Sequence, residues 1–272
     1  MTEKSKCNIC GFHDFLELNI NEGRRLVSCK RCGHFFLNPL PDKSLLDKLY
    51  SDEVYYRETP EDMDNIKYLW QRRFNSIMAM LPKEPGNILD VGCGKGLFLN
   101  EAKQRGWQIF GTEYSPHTAK YAVENYGIDV FTGDLLQTRY PDKYFKVISF
   151  WHVLEHLFSP SDYIKEAHRL LQNNGLLIIE SPNSNESKFT IKEQMDQNKT
   201  HIHFFSEKGF RTLLENNGFE VLLATYEDLR HYKNKWSSRL HHNLDTALVK
   251  AVKFFTGKNT GSTLRIVARK TS

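Results

Sequence analysis

From Asn87 onward the chain alternates short apolar runs with segments of helical periodicity, and this alternation limits its fold more than any other feature. Runs at 88–91, 108–112, 129–132, 145–151 and 175–180 read as strands, and the segments 97–105, 117–126, 161–171 and 206–216 read as helices between and after them. Such a series predicts a doubly wound, mostly parallel sheet. Two more strands, 220–226 and 262–268, are separated only by a connecting segment and suit an antiparallel edge pair, for seven strands in all.

Three regions separate along the chain. Residues 1–40 carry paired cysteines and short strand-like runs. Residues 41–82 read as a helical connector or lid. One helix starts near Pro41-Asp42-Lys43-Ser44 with Leu45, Leu46 and Leu49. A second covers 62–81, with Ile66, Leu69, Trp70, Phe74 and Ile77 on one face, and is closed by Pro82 and Pro85-Gly86. Residues 83–272 form the α/β domain. Within it, the basic segment 229–258 interrupts the last strand pair and includes an amphipathic stretch at 247–255. That segment suits a packed helix with a solvated face, a lid helix, a dimer face or peripheral contact with a membrane surface.

The chain has 272 residues, 40% hydrophobic and 26% charged, as expected of a globular protein. A net charge of +4 permits an acidic partner without requiring one. No apolar run approaches the roughly 18–20 residues of a membrane span, and the polar start lacks the apolar core of a signal peptide, so a cytoplasmic location is expected.

The run Ile88-Leu89-Asp90-Val91-Gly92-Cys93-Gly94-Lys95-Gly96 begins as a strand and ends where a helix starts. Its glycines permit a tight turn and close approach of the backbone to a ligand, at the strand end where ligands of open α/β sheets sit. Glu113 ends the second strand, placed to accept hydrogen bonds from ribose hydroxyls. Asp134, in Gly133-Asp134-Leu135, follows the third strand. It can accept from an adenine amine while Leu135 packs on the ring and Tyr114 lies beside the nucleoside. Asp90 would repel a pyrophosphate but suits the ammonium of an amino-acid moiety.

Asp90-Val91-Gly92-Cys93-Gly94-Lys95-Gly96, Glu113 and Gly133-Asp134-Leu135 resemble the successive motifs of class I S-adenosylmethionine (SAM)-dependent methyltransferases. Phe150-Trp151-His152-Val153-Leu154-Glu155-His156-Leu157 resembles that family's segment after the fourth strand, and Gly175-Leu176-Leu177-Ile178-Ile179 its fifth strand. The resemblance covers residues 83–272. It implies a Rossmann-like fold, with Asp90, Gly92 and Gly94 along the methionine moiety, Glu113 at the ribose, Asp134 and Leu135 at the adenine, and Trp151 and His152 at the cofactor pocket. Cys93 is then a packing residue of the loop.

Cys7-Asn8-Ile9-Cys10 and Cys29-Lys30-Arg31-Cys32 are two CxxC pairs separated by 18 residues. Four thiolates at this spacing suit a tetrahedral structural zinc ion, and Gly11 and Gly33 after each pair suit knuckle turns. A small N-terminal zinc ribbon on the α/β domain is therefore expected. With four cysteines filling the site, His13 and His34 are not expected as ligands.

Methyl transfer is an in-line displacement in which the protein positions the acceptor and can remove its proton. His156 and Glu155 after the fourth strand, and His201 and His203 after the fifth, are the candidate catalytic groups. Both segments fall at the carboxyl edge of the sheet, and two-residue spacing puts His201 and His203 on one side of an extended segment. The layout of ribbon, connector with Tyr55-Tyr56 and SAM domain resembles bacterial methyltransferases of sugar and surface-polysaccharide pathways. In part it is similar to nucleotide-sugar C-methyltransferases. Thr200-His201-Ile202-His203-Phe204-Phe205-Ser206 resembles their Glu-His element, with Thr200 in place of the glutamate. O-methyl transfer to a sugar or nucleotide-sugar is therefore the expectation. A zinc-ribbon RNA methyltransferase is one alternative, weakened by the lack of an Asn-Pro-Pro-Tyr type motif and of a catalytic cysteine pair. A non-catalytic SAM-binding scaffold is the other.

Overall fold

The computed structural model describes residues 6–18, 24–42, 60–184, 188–227 and 261–271. The first connector helix, Tyr55-Tyr56 and the basic segment 229–258 lie outside these residues.

Seven strands form the main sheet: β4 (Asn87–Val91), β5 (Gln108–Glu113), β6 (Asp129–Thr132), β7 (Phe145–Trp151), β8 (Leu171–Pro182), β10 (Phe219–Glu227) and β11 (Thr263–Lys270). Their order is β10-β11-β8-β7-β4-β5-β6. The pairs from β8 to β6 are parallel, and β11 is antiparallel to both β8 and β10. The expected final pair thus forms one end of the sheet, with β10 at the edge. The chain winds from β4 out to β6, then returns to place β7 on the other side of β4. That reversal opens a crevice at the carboxyl ends of β4 and β7, where ligands of such sheets bind.

Helices cover both faces. On one side, α1 (Pro60–Ile77), α2 (Leu97–Lys103) and α3 (Pro116–Tyr126) pack through Phe74, Ile77, Phe98, Leu99 and Ala122. On the other, α4 (Pro160–Leu170) and α6 (Glu207–Glu215) pack through Tyr163, Ile164, Ala167, Phe210 and Leu213. Helix α3 starts at Ser115, whose hydroxyl accepts the Thr118 amide, with Pro116 in the first turn.

The N-terminal residues build a second sheet from β1 (Phe15–Leu18), β2 (Leu26–Cys29) and β3 (Phe35–Leu37). Its fourth strand, β9 (His203–Phe204), comes from the larger α/β part of the chain, pairing Phe36 with His203 and Phe35 with Phe204. Side chains alternate across this sheet. Phe36 joins Phe205 and Phe210 in the core of the larger unit, while Leu26, Leu37 and Phe204 pack on Ile191 and Met195 of α5 (Lys188–Gln197). The ribbon therefore shares its apolar core with the larger sheet.

Candidate active site

The loop after β4 reaches its turns through left-handed glycines. Gly92 has φ +68°, and a Cβ there would lie 2.7 Å from Val153 Cγ2. Only glycine lets the loop sit this close to the segment after β7, so the two motifs meet at the crevice. Gly94 has φ +53° and nothing within 4 Å of its Cβ position, leaving backbone open to a ligand. The Cys93 thiol packs against Gly111 in the core, and burial raises it well above its ordinary value, as befits a packing residue.

Three carboxylates surround this loop. Asp90 is buried and accepts from Ser149 Oγ at 2.7 Å. Burial, opposed by that hydrogen bond and reinforced by Glu113, raises it to about 8. Glu113 is buried at the end of β5 and accepts from the Gly94 amide at 2.9 Å and the Ser115 amide at 2.8 Å. Each of its oxygens keeps a second lone pair for a ribose hydroxyl. Asp134 caps the 3₁₀ turn Leu135–Gln137 by accepting the Leu136 amide at 2.8 Å, and also accepts from Tyr163 Oη. Leu135 is buried, while Tyr114, Phe131 and Leu136 stay exposed around these acids. A buried acid, an open glycine backbone and a half-open acid amid apolar side chains fit a ligand with an ammonium, a ribose and an adenine ring.

His152 has φ +57°, a strained conformation for a residue with a side chain. Its Nε2 lies 3.1 Å from Glu180 Oε1, and its Nδ1 3.4 Å from Glu155 Oε1. Burial opposes charging this ring, but the two carboxylates outweigh it and raise it to about 9. Glu180 is also bound by Arg73 of α1 at 2.5 Å and by Arg265 of β11 at 2.5 and 2.8 Å. Burial alone would raise the Glu180 carboxyl; the two guanidiniums and His152 hold it well below the usual range. Arg73 lies over the Trp70 ring and Arg265 over Trp151, whose own ring is buried against Trp70 and Phe98. This cluster fastens α1 across the sheet ends, and Lys95 of the glycine loop reaches Met63 of the same helix.

Sequence spacing did not reveal Arg73, Glu180 or Arg265. An acid ending the apolar run Ile178-Ile179 and an arginine within β11 were the available signals.

Glu155, His156 and His201 come together next to this network. One ligand-capable atom from each lies within 4.8 Å of the others, and the His156 and His201 rings meet edge to face at 4.8 Å. The backbone joins their segments, the Ile202 amide donating to the Glu155 carbonyl at 2.9 Å. Thr200 holds His156. Its hydroxyl donates to Asn198 Oδ1, so its carbonyl and hydroxyl oxygens, 3.2 and 3.0 Å from His156 Nδ1, act as acceptors. Nδ1 therefore carries the proton and Nε2 the lone pair. Burial would raise the Glu155 carboxyl, but the His152 ring 3.4 Å from Oε1 and the neighbouring imidazoles bring it to about 2. Burial lowers His156, and lowers His201 to about 4 despite Glu155.

His203 is set apart from this group. Its Nδ1 meets His34 Nε2 at 3.0 Å, beneath Phe36 and Phe205. Burial lowers it to about 3, so a neutral histidine pair joins the ribbon to the larger unit. Pairing of β9 with β3 turns His203 into the ribbon interface, apart from His201.

In the ribbon, Sγ of Cys7, Cys10, Cys29 and Cys32 lie within 4.8 Å of one another. Cys7 and Cys32 are 3.6 Å apart, Cys10 and Cys29 3.5 Å. Tetrahedral Zn–S bonds of 2.3 Å require S···S distances of ~3.8 Å, close to these. The two knuckles match, with Gly11 donating to the Cys7 carbonyl and Gly33 to the Cys29 carbonyl, both at 2.8 Å and both with positive φ. Hydrogen bonding from Cys7 lowers the Cys32 thiol, and burial raises Cys10.

Residues 63–224 match the family model described as a methyltransferase domain, well over half of the chain. The chain belongs to the methyltransferase domain family. Among relatives, a probable S-adenosylmethionine-dependent methyltransferase of Mycolicibacterium smegmatis is 25% identical over 155 residues, covering 56% of this chain and 60% of that protein. A ubiquinone biosynthesis O-methyltransferase of Cereibacter sphaeroides is 29% identical over 122 residues, covering 42% of this chain and 49% of that protein. The chain thus spans about half to three-fifths of the length of these relatives. A SAM-dependent methyltransferase from Archaeoglobus fulgidus superposes with a TM-score of 0.58 at 18% identity over 84% of this chain and 100% of that one, a likeness of fold. Among the described residues no helix is long and apolar enough to cross a membrane.

Proposed function

We propose that the chain transfers the methyl group of SAM to a hydroxylated small molecule, with a sugar or nucleotide-sugar as the favoured acceptor. The observation that carries this reading is the cluster of Glu155, His156 and His201 placed beside the glycine loop, where Val153 packs on Gly92. SAM supplies an electrophilic methyl group on a sulfonium sulfur, open to in-line displacement. Asp90, Gly92 and Gly94 hold its amino-acid end; Glu113 takes the ribose, Asp134, Leu135 and Tyr114 the adenine, and Trp151 and His152 wall the pocket. Across the loop, the cluster of Glu155, His156 and His201 meets the acceptor hydroxyl, orients its oxygen and faces its proton. His201 at about 4 is too weak a base to take that proton alone at neutral pH, so it orients the acceptor. Cys7, Cys10, Cys29 and Cys32 hold one structural zinc ion, a closed set that positions β9 and the residues leading into it. The saccharide preference draws on the ribbon and on the Thr200–Ser206 element.

His156→Ala and His201→Ala are each expected to lower kcat by about 10²-fold with SAM affinity retained. Turnover near the parental rate in both variants would overturn the assignment.

A further inference from the structure

We propose that Glu155, His156 and His201 form a binding site for one divalent transition-metal ion beside the cofactor loop. One carboxylate oxygen and two ring nitrogens converge within 4.8 Å. Bonds of ~2.1 Å allow at most ~4.2 Å between two ligand atoms, so shifts of under ~1 Å close the set. Glu155 is 1% exposed and His201 7%. Among the described residues, both Glu155 oxygens and His201 Nδ1 are buried without a hydrogen-bond partner. A buried carboxylate in that condition is costly, and native interiors rarely leave one. The nearest cationic group, His152, approaches only Oε1, at 3.4 Å, and is already committed to Glu180 through its other nitrogen. A single cation satisfies both Glu155 and His201.

His156 completes the set. Its Nδ1 lies 3.2 Å from the Thr200 carbonyl and 3.0 Å from the Thr200 hydroxyl, which fixes the ring beside Glu155 and His201. Histidines on metals are held in this way, their second nitrogen donating to a backbone carbonyl. Two imidazoles and one carboxylate favour borderline ions such as zinc, iron(II), cobalt or manganese over magnesium or calcium, whose ligands are oxygens. Three protein ligands leave positions open for oxygen donors, and two adjacent hydroxyls of an acceptor suit them.

That acceptor role rests on the methyl-transfer reading above. A hydroxyl on the ion is more acidic and gives its proton to solvent; the O–CH₃ bond forms as the CH₃–S bond breaks, with its electron pair going to sulfur.

The test uses the full chain, first loaded with zinc at the ribbon, and Co²⁺ alone as the probe. One further Co²⁺ per chain is expected, with the visible spectrum of nitrogen and oxygen coordination and no thiolate-to-cobalt charge-transfer band. Glu155→Gln and His201→Ala are expected to weaken that uptake at least about tenfold, while an unchanged circular-dichroism spectrum reports an intact fold. Cobalt bound only with thiolate bands, or uptake equal to the parent in both variants, overturns the site. Cobalt uptake as expected with no methyl transfer to any hydroxylated acceptor would keep the site and overturn the acceptor reading. Methyl transfer by protein that takes up no such cobalt would overturn the site alone.

Discussion

Asp90 shows how one residue couples binding to protonation. Its carboxyl sits near 8 because it is buried, so at neutral pH most of the free protein carries it protonated. An ammonium ligand prefers the carboxylate, and binding then expels the proton. SAM affinity should fall as pH drops from about 7.5 to 6, a range where an α-ammonium stays mostly charged, by up to about tenfold per unit. Calorimetry in two buffers of different ionisation enthalpy should show net proton release at pH 7. A pH-independent affinity with no release would show that Asp90 does not meet the ammonium. Glycines, Glu113 and Asp134 were legible in the sequence because the chain places them at fixed offsets from strand ends. Thr200 was not. It reads as a lost glutamate, yet it sets the proton on His156 Nδ1 through a carbonyl that any residue carries and a hydroxyl that few do.

At the level of elements, the strands of the main sheet were readable because each is an apolar run between turn residues, and β5, β6 and β7 begin where the pattern places them. Helix α5 was missed because Ile191 and Met195 are its buried apolar side chains among the described ones, too few for a periodic signal. The two-residue β9 is too short for any pattern and exists because β3 supplies its partner. What joins the elements is equally invisible in sequence, since Arg73 meets Glu180 across 107 positions and Arg265 meets it across 85. Glu180→Ala would leave two buried guanidiniums without their shared carboxylate. A loss of about 3–5 kcal/mol is expected, lowering Tm by on the order of 10 °C, together with weaker SAM binding as α1 loosens. A thermal melt within about 2 °C of the parent would show that α1 is held by packing alone.

At the scale of the whole molecule, the ribbon looked in sequence like an appended module, and the structure threads it into the site. Cys7, Cys29 and Cys32 lie in the same apolar cluster as Phe205 and Phe210, and His34 bonds His203 two residues from His201. Removing the paired cysteines should therefore reach the acceptor side before the cofactor side. Cys29→Ser/Cys32→Ser is expected to lower kcat at least about tenfold and to lower Tm, with a smaller change in SAM affinity. Equal kcat in that variant would mean that the ribbon serves another purpose.

Methyl transfer from SAM to a hydroxyl is the proposal on which the other assignments depend. It is tested most directly by incubating the full chain with SAM labelled in the methyl group and a panel of free sugars, nucleotide-sugars and RNA, following label by mass spectrometry. The expected result is one methyl group on an oxygen of a hydroxylated small molecule, with an equal amount of S-adenosylhomocysteine. Label in RNA alone, or no S-adenosylhomocysteine with any acceptor despite SAM binding, would contradict it.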